Sequence, residues 1–404
     1  MVRVFAYGSL SVVLVLYLSA RIDDVHIGLI LTLTLIGDAA ISLWLTTRAD
    51  AVGRRLVLRL GATLMAVAGA VFIVSGDFWI LVIAATVGVI SVSGAEVGPF
   101  QAVEQASLSY ILPDRERTRI FGWYSLVGSF ATAAGALAAG LLVQELRHLG
   151  ASHVDSYRAV IVGYALIGIV LLAAFGRLTP AIEIPAAARS VRTNRLGLHR
   201  SRGTVLRLSA LFGVDAFGGG LVTQSLVAYW FTLKFGAQPA VLGLIFFAAN
   251  ILAGLSALVA ARLATRIGLI RTMVFTHLPS NVVLICLPFM PTLPLAALVL
   301  LVHSSLNKMD VPARHSYILA VVEPDERSAA AGVTSMARSA GAAVAPSIAT
   351  PLIGIVALSG IPFLLAGALK ITYDLLLYRS FAGLRPPEER PVDDDWVPVP
   401  PGEL

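Results

Sequence analysis

The sequence predicts an all-α polytopic membrane protein with twelve transmembrane helices in two pseudo-symmetric six-helix bundles. Three observations carry this. Apolar runs of membrane-spanning length recur between Met1 and Tyr378, arginines crowd into every second gap between them, and the second half of the chain repeats features of the first. Of 404 residues, 57% are hydrophobic and 13% charged, with a mean hydropathy of +0.84. A soluble domain carries about 25% charged residues. No soluble core absorbs this much apolar surface, whereas lipid does.

Roughly 20 apolar residues cross about 30 Å of hydrocarbon. In the first half, crossings are expected at residues 4–20, 27–47, 60–76, 78–95, 120–144 and 159–176, with Asp38 the interruption in the second. In the second half, residues 208–233 make the seventh, interrupted by Asp215, and 235–261 the eighth. The stretch 272–307 is too long for one span and divides at Pro288, Pro291 and Pro294 into the ninth and tenth. Residues 328–370 divide at Ser359-Gly360-Ile361-Pro362 into the eleventh and twelfth.

The net charge of +6 and pI of 9.7 do not indicate nucleic acid, because the basic residues follow topology. Arg21, Arg147, Arg158 and Lys234 fall outside, Lys308, Arg314, Arg338 and Lys370 fall within helices, and the remainder fall on the opposite side. The positive-inside rule then places both termini in the cytoplasm, and the plasma (inner) membrane of a bacterium is the expected location. The first apolar run leads directly into another, so no cleavable signal is expected. The single Cys286 allows no intrachain disulfide and no thiol cluster.

The expected organisation is an N-terminal bundle (1–178), a basic cytoplasmic linker (179–203), a C-terminal bundle (204–379) and a polar, proline-rich disordered tail (380–404). Pro113-Asp114-Arg115-Glu116-Arg117 matches Pro324-Asp325-Glu326-Arg327, and Ser109-Tyr110-Ile111-Leu112 recurs as Ser316-Tyr317-Ile318-Leu319. The loop Ala49-Asp50-Ala51-Val52-Gly53-Arg54-Arg55 has a degraded partner in Ala264-Thr265-Arg266-Ile267-Gly268. Many secondary transporters are built from such repeats, with the substrate near the midplane between them.

Polar groups in a span are expensive and face a bundle interior, so each is a functional candidate. Glu96, Gln101 and Glu104 lie in the fourth crossing. At about 100° per residue, the glutamates are expected about 80° apart on one polar arc. Such carboxylates suit reversible protonation. In the tenth, His303, Asn307, Asp310 and Arg314 at i, i+4, i+7 and i+11 are expected to form one inward stripe within about 60°, with Asp310 and Arg314 free to pair. His303 and Asn307 read as cavity lining. Asp38 reads as structural or gating. Asp215, followed by Phe217-Gly218-Gly219-Gly220, belongs to a helix that breaks easily and, with Gln224 and Asn250, is a candidate for the substrate and proton path. Lys370 and Asp374 are expected to pair. His277 and His303 lie on different helices, so no metal site is expected. The small residues of the fifth and eleventh crossings permit close helix approach and are expected where the halves rock.

In this twelve-crossing frame, the loop joining the second and third crossings resembles the signature loop of the major facilitator superfamily, GxLADRxGRR. Ala49, Asp50, Gly53, Arg54 and Arg55 match, while Thr46, Arg48 and Ala51 depart where the family commonly has Gly, Leu and Arg. Gly53 permits the tight turn. The resemblance implies a monomeric transporter working by alternating access, a small-molecule substrate, no cofactor beyond a coupling ion expected to be H+, and a latch between Asp50 and the eleventh crossing with Arg338 as partner. Family base rates favour proton-coupled efflux of small organic compounds. Uptake or exchange of an anionic solute against Lys308, Arg314 and Arg338 is the rival, and a non-transporting sensor a remote one. No Gly-x-Ser-x-Gly, His-Glu-x-x-His or Asp-rich phosphate motif points to an enzyme.

Overall fold

A computed structural model of the protein describes residues 1–111, 114–179, 182–183, 200–322 and 326–381. The linker arginines Arg189, Arg192 and Arg195, the tail beyond Phe381, Pro113, Pro324-Asp325 and the side chain of Asp50 lie outside the described residues. The helices of the first half are α1 (Val2–Ser19), α2 (Asp24–Val52), α3 (Arg54–Val74), α4 (Phe78–Val87), α5 (Phe100–Ile111), α6 (Asp114–His148) and α7 (His153–Gly176). Those of the second are α8 (Arg202–Leu221), α9 (Gln224–Phe235), α10 (Pro239–Ile267), α11 (Leu269–Cys286), α12 (Leu293–Asn307), α13 (Asp310–Ala320), α14 (Arg327–Gly354) and α15 (Ile361–Phe381). They make the twelve crossings of an all-helical membrane protein.

Among the described residues, nine crossings are long and apolar enough to span by length and composition alone. The other three depart for physical reasons. The fourth is α4 and α5 separated by irregular chain, the tenth is α12 and α13 separated at Lys308-Met309, and the eleventh, α14, is diluted by small residues and arginine. The expected stripe from His303 to Arg314 is therefore corrected, since no single helix carries all four residues. The 80° separation of Glu96 and Glu104 fails likewise, because Glu96 is not helical. The seventh crossing breaks where its glycines allow, at Val222-Thr223 between α8 and α9.

The repeat is visible in the backbone. Gly53 (φ +112°) turns α2 into α3, and Gly268 (φ +88°) turns α10 into α11. Both angles lie where a Cβ is strained, which explains a glycine at each copy of the loop.

The irregular segment of the fourth crossing leaves peptide groups without helical partners, and neighbouring helices supply them. Asp38 of α2 accepts from the Gly98 N–H at 2.6 Å and from the Ser42 hydroxyl at 3.3 Å. Thr132 of α6 donates to the Gly94 carbonyl at 3.3 Å, and Tyr164 of α7 to that of Val89. Ser225, at the start of α9, donates its hydroxyl to Val92 O at 2.6 Å.

Across the bundles, α6 packs on α10 and α14 on α2, so the small-residue fifth and eleventh crossings lie at the interface between halves. A Cβ on Gly140 would collide with the Pro239 carbonyl oxygen, and one on Gly243 would stand 2.8 Å from that of Ala136. At the end opposite the Gly53 and Gly268 loops, the Tyr229 hydroxyl donates to Asp24 Oδ1 at 2.6 Å. The two halves are thus closed on each other at that end.

Replacing Asp38 with Ala leaves the half-buried Gly98 N–H without its acceptor, at a cost of about 1–3 kcal/mol. A lowered melting temperature of purified protein in detergent is expected. An unchanged one would show that another group accepts from Gly98.

Candidate functional site

Two buried charge clusters, one per bundle, flank a polar seam between the halves. In the first bundle, Arg3 of α1 is only 1% exposed. Its guanidinium donates to both oxygens of Glu96 (3.0 and 2.8 Å), to both of Glu104 (2.5 and 2.9 Å) and lies 2.8 Å from the Tyr124 hydroxyl, which donates to Glu104 at 2.6 Å. The Phe100 ring covers the cation at 5.0 Å. A planar five-donor fork matches two carboxylates at once, which a lysine does not. The expected pair Glu96 and Glu104 is thus brought together, but through an arginine that sequence reasoning counted among the topology signals. The missed clue was chemical: two carboxylates in one crossing need a cation, and Arg3 stands at the start of the first. Gln101 is half-buried on the same α5.

In the second bundle, Asp215 of α8 is buried among four basic groups. Lys370 of α15 donates to Oδ1 and Arg338 of α14 to Oδ2, each at 2.8 Å, while Arg314 of α13 lies 3.5 Å from Oδ2 and His277 Nε2 3.8 Å from Oδ1. Arg314 also holds Asp310 at 2.7 Å, the i, i+4 pair the spacing allows. The expected Lys370–Asp374 pair does not form. Lys370 turns to Asp215, and Asp374 is held by His277 Nδ1 and Asn281 Nδ2, each at 2.9 Å. An i, i+4 rule sees only one helix, and the stronger partners come from α8 and α11. His303 does not line a cavity either. It is buried, with Nδ1 2.8 Å from the Ser280 hydroxyl and 2.9 Å from the Ser280 carbonyl, so it ties α12 to α11. Asn307 is half-buried at the end of α12.

Between the clusters runs a chain of neutral groups from both halves. Gln224 Nε2 donates to the Ser11 hydroxyl at 2.7 Å, and Asn250 Nδ2 donates to Gln224 Oε1 at 3.1 Å. Ser225 adds a bond to the Ser11 carbonyl at 2.8 Å. These bonds join α1 of one bundle to α9 and α10 of the other at the break in the seventh crossing.

At the loop after α2, the N–H groups of Arg54 and Arg55 donate to the Glu183 carboxylate at 2.8 and 3.0 Å. Those of Arg200 and Ser201, at the start of α8, donate to Glu326, both at 2.9 Å. Each glutamate satisfies donors that lack an intrahelical partner at a helix N-terminus, where negative charge is also favoured. Arg338, implied as a partner for this loop, is engaged by Asp215 instead.

The sequence profile of the Major Facilitator Superfamily matches residues 1–233 and again residues 208–401. This chain belongs to the major facilitator superfamily. It is a transporter of that superfamily, embedded in a membrane. An uncharacterized membrane protein of Saccharomyces cerevisiae is 29% identical over 414 residues, covering 95% of this chain and 92% of its own length. The inward-open xylose transporter XylE from E. coli superimposes with a TM-score of 0.72 at 13% identity, covering 94% of this chain and 93% of that one. The nucleoside transporter NupG does so with 0.72 at 13%, covering 94% and 96%. At such identities these structures share the fold.

Asp215→Asn removes the counter-charge of two buried cations, a loss of about 3–5 kcal/mol. A sharp fall in folded yield is expected on size-exclusion chromatography. Adding Lys370→Met to that variant should recover part of it, and a double variant no better than the single one would contradict the pairing.

Proposed function

We propose that this superfamily member is a proton-coupled secondary transporter of small organic compounds, working by alternating access in the export direction. The single observation that carries proton coupling is the sharing of one arginine by two carboxylates. Arg3 is the one guanidinium shared by Glu96 and Glu104, which are 16% and 22% exposed respectively at the side chain, with the Met1 α-amino group also in reach of both, and a proton arriving on either carboxylate loosens its hold on Arg3. Uncompensated charge is costly at membrane depth, so proton arrival and departure change how firmly α1 is held against the fourth crossing. The neutral seam of Ser11, Gln224 and Asn250 supplies hydrogen-bonding groups to a solute between the halves. The arginine distribution supports cytoplasmic termini, and in a plasma membrane the closed end then faces away from the cytoplasm. Export is the direction favoured by the family resemblance.

The test is proton movement during solute movement. In proteoliposomes carrying a lumenal pH dye, a gradient of labelled organic solute should drive a proton signal in the wild type. Glu104→Gln and Glu96→Gln should each lower that signal about ten-fold or more, as expected for loss of about 1.4 kcal/mol or more of charge-assisted interaction. An undiminished proton signal in both variants sinks the assignment. Lower retention of the solute by cells expressing the wild type than by cells expressing Glu104→Gln is the outcome expected for export.

A further inference from the structure

The chain contains only three lysines among its 30 basic residues. Lys234 lies in the last turn of α9, where it bonds the Pro288 carbonyl, and Lys370 is committed to Asp215. Lys308 is different. It occupies the break between α12 and α13, near the middle of the tenth crossing, it is exposed, and among the described residues its ammonium makes no hydrogen bond or ion pair. It lies within electrostatic reach of Asp310, Arg314, Lys370 and Arg338, all of which face the interior of the second bundle. The surface it exposes therefore belongs to the cleft side, since a lipid-facing ammonium at this depth has nothing to hold it.

The neighbouring cations are already used. Arg314 is buried between Asp310 and Asp215, and Lys370 is buried on Asp215. Arg338 spends one N–H on Asp215 and remains 31% exposed at the side chain. Counting the interior side chains of this bundle, Lys308, Arg314, Arg338 and Lys370 face Asp215, Asp310 and Asp374, which leaves one positive charge over. It resides on Lys308, with the half-buried amide of Asn307 next to it.

We propose that Lys308 is the anchor of an organic monoanion, such as a carboxylate, carried by this transporter, with Asn307 and the exposed edge of Arg338 beside it. A single free ammonium matches one negative charge and presents three donors to it. The inference rests on the transport reading above and names the charge class of its solute. Of the cations that sequence alone allowed, the structure removes Arg314 and selects Lys308.

Amine labelling tests this on full-length protein in detergent, without a proton gradient. Trinitrobenzenesulfonate in mildly alkaline buffer should modify Lys308 and spare Lys370, read by peptide mass spectrometry. Millimolar benzoate should slow that labelling several-fold, and the neutral isostere benzamide should not. Benzoate should also raise the melting temperature of the wild type and of Lys308→Arg but not of Lys308→Gln, which removes no structural partner and should elute as the wild type does. Labelling of Lys370 in place of Lys308, equal protection by benzamide or none by benzoate, or an unchanged benzoate effect in Lys308→Gln would each overturn the assignment. Because no proton flux enters these measurements, loss of proton coupling in the glutamate variants leaves their outcome intact.

Discussion

The structure depends on where the peptide groups of the fourth crossing find partners once its helix stops at Val87. In hydrocarbon no water is available to an unpaired N–H or carbonyl, so irregular chain is tolerated only inside protein. Four other helices answer that need: Asp38 from α2, Thr132 from α6, Tyr164 from α7 and Ser225 from α9. Ser225 comes from the other bundle. The interruption is therefore also a joint between halves, and a motion that separates them must break that bond or carry the segment along.

The interruptions coincide with the polar chemistry. Glu96 lies in the gap between α4 and α5, Gln224 begins α9 just after the gap in the seventh crossing, and Lys308 sits in the gap between α12 and α13. A continuous helix fixes every side chain to a period of 3.6 residues. Breaking it releases Glu96 from that phase, so it and Glu104 can both reach Arg3. The charges held at these places are compensated by helices distant in sequence, which ties α1 to the fourth crossing and α8 to α13, α14 and α15.

Much of this was legible in the sequence because length, charge and hydropathy act along the chain. The crossings, the turn at Gly53 with its echo at Gly268, and the polar candidates Glu96, Glu104, Asp215, Asp310 and Arg314 all follow from local rules. What was not legible depends on contacts between helices. Arg3 reads as a topology signal because it precedes the first apolar run, and only the fold turns it inward. Lys370 and Asp374 satisfy the i, i+4 rule, yet α8 and α11 offer better partners. Gly88, Gly94, Gly98 and Pro99 are the local signal for the gap in the fourth crossing, and the apolar residues around them masked it.

The two clusters differ in the charges they gather, and this bears on how one movement can serve two ligands. Around Glu96 and Glu104 stand the Arg3 guanidinium and the α-amino group of Met1, whereas in the second bundle four cations meet three carboxylates. Under the proposals above, the first cluster receives a proton and the second an organic monoanion. An uncompensated charge at membrane depth costs from about 2.5 kcal/mol upward, so each cluster stays occupied or paired while the halves move. The first cluster thus answers a cation and the second an anion, and the two ligands can bear on one movement without touching.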